Sequence, residues 1–495
     1  MNALSSNAKN ERFTPALLTH LELVISVNLG LRNFRMIVRN HFIFSSLSKA
    51  ISLALLITAN SHALAEAPSS ATKQLTARSA EFNQDIIQVS KHVYTAVGYG
   101  VSPISMIIGD DGIVIIDTGI SVQESAKVRE AFRAITPKPV KAIIYTHGHG
   151  DHTTGALAFK DNDDVQVWAR EEFGHEDNFA KKAGLTIQRK RGAAQAGFIL
   201  TPEERINNGV AKAFWPSKGG KAFGTDTKVK VTHTFSDDSH LLNIAGLELT
   251  LAAAPGETAD ELFIWYGDEK VIFAGDNFYK SWPNLYPIRG AGYRDVRLWA
   301  DSLSKMLEYK PASLVGGHTR PIIGQSEVTE VLTNYRDAIQ FVFDKTIEGM
   351  NKGLTPNELV EYVNLPEKYQ NLDYLQPYYG HPEWAIRSIF NGYLGWYDGN
   401  PTNLFPLSDK EEAQKIADLA GGSEKLMAEA EKSLTSNPQW SAQLCDHLLA
   451  LDGKNKSALL TKAKAMRLLA KDLLTATGRN YYLSVAKQLE KKAGL

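Results

Sequence analysis

An α/β or α+β layered domain followed by an all-α region is the fold class that this sequence predicts. Three observations predict it. Between about residues 80 and 320, short β-rich runs alternate with turns and helical stretches. After about residue 326 the apolar spacing is helical throughout. The length, 495 residues, accommodates two or three domains.

In the first region, six runs are too short to show helical spacing and read as strands: Gly112–Asp117, Val140–Tyr145, Val165–Trp168, Leu247–Leu251, Lys270–Ala274 and Ser313–Val315. Ser121–Ile135 between them reads as an amphipathic helix. In the second region, helical spacing covers Glu327–Asn351, Pro356–Val363, Trp384–Trp396, Ser408–Ala420, Glu424–Ser433, Trp440–Leu451, Ser457–Leu474 and Tyr481–Lys491. Gly421-Gly422 and Asn437-Pro438 break it. Successive helical hairpins predict a small TPR-like or bundle domain without a repeat of fixed period. The expected boundaries are 1–65 for an N-terminal extension, 75–345 for the layered domain and 346–495 for the helical one.

Lys and Arg number 54 against 55 Asp and Glu, and 43% of residues are hydrophobic. That balance excludes a wholly disordered chain, and the lack of a basic tract argues against a nucleic-acid partner. The single cysteine, Cys445, excludes an internal disulfide and a cysteine-based zinc cluster, so a metal here needs His and carboxylates. Residues 1–65 read as an address. Arg35, Arg39 and Lys49 precede the apolar run 50–59, and Ala63-Leu64-Ala65 offers a small-x-small cleavage site. The run is too short to span a bilayer, which takes about 20 residues. Met36 stands just before this signal and is a candidate true start. Cleavage would remove six basic and two acidic residues, leaving a net charge of −5. The expectation is an exported, periplasmic or secreted protein with no stable membrane insertion.

The chemistry is concentrated in Thr146-His147-Gly148-His149-Gly150-Asp151-His152, directly after an apolar strand. Three imidazoles and a carboxylate on one tight turn point in several directions. They suit a dinuclear site in which one ion takes His147 and His149 and the other takes Asp151 and His152. Four metal-capable groups in six positions, in a chain with 13 His, are improbable by chance.

This His-x-His-x-Asp-His pattern resembles the metallo-β-lactamase superfamily, whose fold is an αββα sandwich. The superfamily's later ligands have counterparts in Pro255-Gly256-Glu257-Thr258, Phe273-Ala274-Gly275-Asp276 and Gly316-Gly317-His318. Glu257 stands where the usual third His would be, which resembles the alkylsulfatase branch. Arg289-Gly290-Ala291-Gly292-Tyr293-Arg294-Asp295 is similar to that branch's sulfate-binding segment. Tyr393-Leu394-Gly395-Trp396-Tyr397-Asp398-Gly399-Asn400-Pro401 is similar to the opening of its helical dimerisation domain. The sequence departs from the branch in carrying Asp276 where a Glu stands, and it ends at Leu495 without the sterol-carrier-like domain.

The resemblance implies two Zn²⁺ per chain, with iron or manganese as alternatives for such donors. His147, His149 and Glu257 would hold one ion, Asp151, His152 and His318 the other, and Asp276 would bridge. Two such ions share a bridging water and lower its pKa. The implied activity is hydrolysis of alkyl sulfate esters to alcohol and sulfate, with Asp151 and Arg289 as candidate catalytic residues. Arg289, Arg294 and His381 are the candidate substrate contacts, Arg289 because its planar fork matches two sulfate oxygens. Phe278, Tyr279, Trp282, Tyr286 and Trp384 are candidates for an alkyl channel. Glu261 is a neighbour that could exchange roles with Glu257, and His175, His233, His240 and His447 read as structural or exposed. The rival readings are a lactone, thioester, phosphodiester or β-lactam hydrolase on the same scaffold, a di-iron redox enzyme, and a non-catalytic binding protein. A homodimer through the helical domain is expected.

Overall fold

The computed structural model describes residues 68–175, 181–212 and 229–495. The expected signal, Met36 and the cleavage motif lie outside them. The first described helix is α1 (Ser70–Arg78), capped by the Ser69 side chain. Seven strands follow in one sheet in sequence order: β1 (Asp85–Gln88), β2 (Val93–Val97), β3 (Ile104–Ile108), β4 (Ile113–Ile116), β5 (Val140–Ile144), β6 (Gln166–Arg170) and β7 (His233–Phe235). Between them lie α2 (Val122–Ile135) and α3 (Ile187–Gln195). The second sheet runs in spatial order β13-β12-β11-β10-β9-β8. It is built from β8 (Ser239–Ile244), β9 (Leu247–Ala253), β10 (Leu262–Tyr266), β11 (Val271–Phe273), β12 (Ser313–Val315) and β13 (Ile322–Ile323).

Alternation along the strands builds the layers. In β4, Val114 and Ile116 face inward between the sheets, where they join Ile144, Leu251, Ile264 and Phe273. Ile113 and Ile115 point outward against Val128 and Phe132 of α2. The second sheet repeats this, sending Ala252, Phe263, Ile272 and Leu314 outward. There they pack against α4 (Val296–Glu308) and α5 (Gln325–Asn351). A helix-sheet-sheet-helix sandwich is therefore what two-sided apolar strands require.

Helix α5 continues into the helical region. That region comprises α6 (Pro356–Tyr362), α7 (Pro382–Leu394), α8 (Asp409–Ala420), α9 (Ser423–Ser433), α10 (Pro438–Leu451), α11 (Lys456–Lys471) and α12 (Ala476–Lys492). Local chemistry sets several starts: Thr355 and Ser408 form capping boxes, and Pro356, Pro382 and Pro438 occupy first-turn positions. The last helix starts five residues before the expected Tyr481, at Ala476. Consecutive helices from α8 to α12 pack against one another, and α12 returns to the sandwich. Ser484 Oγ donates to the Ala194 carbonyl (3.2 Å), and Arg467 pairs with Glu204 (3.0 Å) and Glu490 (2.7 Å). Residues 68–495 accordingly form one compact body. Among the described residues, no helix is long and apolar enough to cross a membrane.

Candidate metal centre and active-site cleft

The site is assembled from strand ends. The cluster 147–152 leaves β5, Glu257 follows β9, Asp276 follows β11 and His318 follows β12. β4 runs parallel to β5, and β11 parallel to β12, so within each sheet these ends share one edge. Asp117, at the end of β4, has φ +54° and anchors the cluster. Its carboxylate accepts the Thr146 N–H and hydroxyl (both 2.9 Å) and lies 2.7 Å from His152 Nδ1. Gly317 is required for close approach, since a Cβ there would lie 1.9 Å from Asp276 Oδ1.

All seven residues singled out as ligands converge. His147 Nε2 and His149 Nδ1 are 2.9 Å apart. Asp276 Oδ2 is 3.9 Å from His147 Nε2, and Glu257 Oε1 is 3.9 Å from His149 Nδ1. On the other side, Asp276 Oδ1 lies 3.2 Å from both His152 Nε2 and His318 Nε2, and Asp151 Oδ2 is 3.8 and 3.7 Å from the same two nitrogens. Donors held at 2.0–2.2 Å around a tetrahedral ion sit about 3.3–3.6 Å from one another, which is the scale of these separations. His152 Nε2 and Asp276 Oδ1 are buried without a hydrogen-bond partner, and each points into the shared space. A cation between them would satisfy both, so the residues fit a two-ion centre.

The electrostatics agree. Burial holds His147 and His149 well below the ordinary imidazole value, leaving lone pairs for coordination. Burial would also lower His152 and His318, but the Asp276 carboxylate overrides it and raises both. Glu257 is pushed up to about 7 by burial, against the pull of Arg294. Protons on this cluster balance its carboxylates, and metal binding would release them.

Beside the cluster opens a cavity of about 480 Å³. His149, Glu257, Arg289 and Arg294 line it. Leu185, Tyr293 and Leu298 line it too, 39–48% exposed, and give its exposed part an apolar side beside the exposed Glu172 and His175. Arg289 is fixed through its backbone, whose N–H donates to Gln195 Oε1 (3.1 Å). Gln188 and Arg191 of α3 donate to the carbonyls of Gly290 (3.0 Å) and Ile288 (2.7 Å).

A metallo-beta-lactamase superfamily model matches residues 97–318, and an alkyl sulfatase dimerisation model matches residues 355–492. A linear primary-alkylsulfatase of Pseudomonas sp. is 35% identical over 397 residues, which is 78% of this chain and 74% of that protein. An (R)-specific secondary-alkylsulfatase of Pseudomonas sp. is 28% identical, over 82% of this chain and 62% of that protein. The solved structure of a stereoselective inverting sec-alkylsulfatase from Pseudomonas sp. has a TM-score of 0.78 at 26% identity, covering 86% of this chain and 69% of that one. The chain belongs to the alkylsulfatase family of the metallo-β-lactamase superfamily.

Within this alkylsulfatase scaffold several expected contacts are redistributed. His381 Nδ1 accepts the Glu383 N–H (3.2 Å) and caps α7. Arg294 is paired with Glu257 (2.8 Å) and not with Asp295, whose side chain caps α4. Phe278 and Trp282 are core residues, Phe278 packing edge-on against Tyr335. Tyr279 donates to Glu257 Oε2 at 3.3 Å. Tyr286 and Trp384 line a separate cavity of about 370 Å³ with Arg387 and Asn391. His175, read as structural or exposed, lines the main cavity.

Glu261 does not exchange with Glu257. It lies behind His147, with Oε1 3.4 Å from Nδ1, and accepts the Asp276 N–H (2.6 Å). Burial, then Asp276 and Glu257, push its carboxyl well above the ordinary range. Asp117 was visible only as the end of a strand. Its signal was the acidic residue closing the apolar run that neighbours the His strand, which only the parallel pairing of β4 and β5 makes meaningful.

Proposed function

We propose that this chain hydrolyses alkyl sulfate esters, linear primary ones foremost, to the alcohol and inorganic sulfate. One observation carries the reading: a cavity with Arg289 beside the ligand cluster and an apolar side in its exposed part. That is the polarity of an anionic head joined to an alkyl tail. The names of the relatives, among them a linear primary-alkylsulfatase at 35% identity, support the same substrate class.

His147, His149 and Glu257 would hold one ion, Asp151, His152 and His318 the other, with Asp276 between them; zinc is proposed, since it accepts nitrogen and oxygen donors without redox chemistry. When bound, the ions supply positive charge and a water acidified towards neutrality. The chain's own groups do the rest. The Arg289 guanidinium binds two sulfate oxygens and stays charged as negative charge grows on the departing sulfate. Asp151, with its side chain 23% exposed, is the most accessible of the seven and is placed to accept the proton of the attacking water. Leu185, Tyr293 and Leu298 hold the alkyl chain and exclude water from it. Attack falls on carbon, because sulfate is a weak base and leaves readily, and the inverting relative supports this.

Turnover of dodecyl sulfate in ¹⁸O-water tests the whole reading. Label in dodecanol is the expected result. Label in sulfate overturns carbon attack, and hydrolysis of lactones or phosphodiesters with none of alkyl sulfates overturns the substrate.

Export to the periplasm or the medium is part of the proposal, tested by N-terminal sequencing, which should begin near Glu66. So is a homodimer. Trp396 is 72% and Phe405 93% exposed within the segment matched by the dimerisation model, and a second copy would cover them.

A further inference from the structure

We propose that the cavity of about 370 Å³ beside α7 is a second binding site, separate from the hydrolytic cleft, for an anionic amphiphile. Arg387 holds its sulfonate, sulfate or carboxylate head, and Tyr286, Ile288 and Trp384 hold its alkyl chain. The inference needs neither the metal ions nor the hydrolysis proposed above.

Helix α7 presents Trp384, Arg387, Ser388 and Asn391 to this cavity, three, four and seven residues after Trp384 and hence on one face of the helix. Tyr286 and Ile288 complete the lining. Ile288 lines this cavity while the next residue, Arg289, lines the cleft, so neighbouring residues serve two different spaces. Both walls are held in place. Arg191 donates to the Ile288 carbonyl (2.7 Å), and the Trp384 indole lies so close to α12 that a Cβ on Gly478 would be 3.3 Å from Cη2.

The lining offers donors and no acid. Arg387 Nη1 donates to the neutral Asn357 Oδ1 (2.8 Å). Among the described residues its guanidinium pairs with no carboxylate, not even that of Glu383 one turn earlier. The Tyr286 hydroxyl, the Trp384 indole N–H, the Ser388 hydroxyl and the Asn391 amide have no hydrogen-bond partner among the described residues either, although Ser388 is only 8% exposed. Polar side chains that find no partner in the chain and converge on one space are satisfied by a ligand's head. A guanidinium with no acid beside it selects an anion. The half-buried faces of Tyr286, Ile288 and Trp384 select an apolar tail. The volume falls within the roughly 300–1,000 Å³ of small-molecule sites.

The test is equilibrium dialysis of full-length protein against decanesulfonate, which carries no ester to hydrolyse, below its micelle-forming concentration. Wild type should bind two molecules per chain. Arg387→Ala should weaken one of them by about tenfold or more, the scale of one charge-assisted hydrogen bond, and leave the other. Asn391→Trp, which fills the cavity from an exposed position, should abolish the same one. Arg289→Ala should weaken the other. In that background the change in tryptophan fluorescence on binding should disappear with Trp384→Phe. Decanoate should occupy the site as decanesulfonate does, whereas decanol and inorganic sulfate should each bind at least about tenfold more weakly, one lacking the charge and the other the chain.

A single molecule per wild-type chain would overturn the proposal, as when a second copy of the chain fills the space. So would a second molecule that both Arg387→Ala and Asn391→Trp leave in place, or decanol binding as tightly as decanesulfonate. Arg387 and Asn391 are both exposed, and either variant decides by itself. Failure of the sulfatase reading shows in wild-type turnover and leaves this binding count untouched.

Discussion

The cleft and the helical region handle burial in opposite ways. The cleft buries His147, His152, Glu257, Glu261, Asp276 and His318, each at most 3% exposed, and pairs them with one another and with Asp117, Arg294 and Tyr279. The helical region buries Leu426, Ala430, Leu444, Leu448, Ala458 and Ala463 and keeps its charges at the surface. One region is a set of mutually dependent polar groups, costly when any partner is missing. The other is stabilised by apolar burial at roughly 1.5–3 kcal/mol per large side chain and tolerates surface change. Function is therefore concentrated where stability is given up, and the helices hold the scaffold that allows it.

The largest expected effect sharpens that contrast. Asp276 lies beside both donor groups, so Asp276→Asn should lower kcat/KM by about 10³-fold or more together with metal content, since it removes the negative charge and one of the two oxygens that face the ions. Chelation of wild type should do the same, with recovery on adding zinc. Next, Arg289→Ala should lower kcat/KM for dodecyl sulfate by about 10²-fold with both ions retained, comparable to losing one strong oxyanion donor. Equal losses for a neutral lactone would break the assignment.

Asp117→Asn should weaken zinc binding by about 10–100-fold, because His152 loses the carboxylate that fixes its ring. In the helical region, Trp396→Ser combined with Phe405→Ser should shift sedimentation from dimer to monomer with kcat changed less than about threefold, as expected of exposed positions that do not line the cavity. A deletion from Gly399 is a poorer test, since it would strip α12 from the sandwich and expose Ala194, Leu200 and Leu75.

The smallest effect concerns the seam between the two regions. Glu204 is lowered to about 2, against its burial, by hydrogen bonds from Lys487, Thr201 and Arg467. Its folded value lies below its unfolded one, so its stabilisation is complete above about pH 4.5 and is lost as pH falls towards 2. Glu204→Gln should lower Tm slightly at pH 6 and make no difference at pH 2; an equal shift at both would exclude the ionic contribution. The Glu204 side chain is 22% exposed and its partners Arg467 and Lys487 face solvent more, so screening keeps the effect small.

The sequence alone determined which atoms could bind metal, because His147, His149, Asp151 and His152 sit on one turn whose spacing is local chemistry. It also placed six of the thirteen strands and most of the later helices for the same reason, since periodicity and capping are read within a few residues, and it named none at β1–β3, β7, β8, β10 or β13. Resemblance then extended the set to Glu257, Asp276 and His318. Tertiary structure decided what no local pattern encodes. Pairing of β4 with β5 brought Asp117 to His152, and the fold of the 279–294 segment turned Arg294 towards Glu257 and left Arg289 facing the cavity. His381, Phe278 and Trp282 illustrate the same limit, since a polar or aromatic side chain serves a cap, a core or a cleft according to what packs beside it. Partners distant in sequence are chosen by strand register and layer packing, which only the assembled chain possesses.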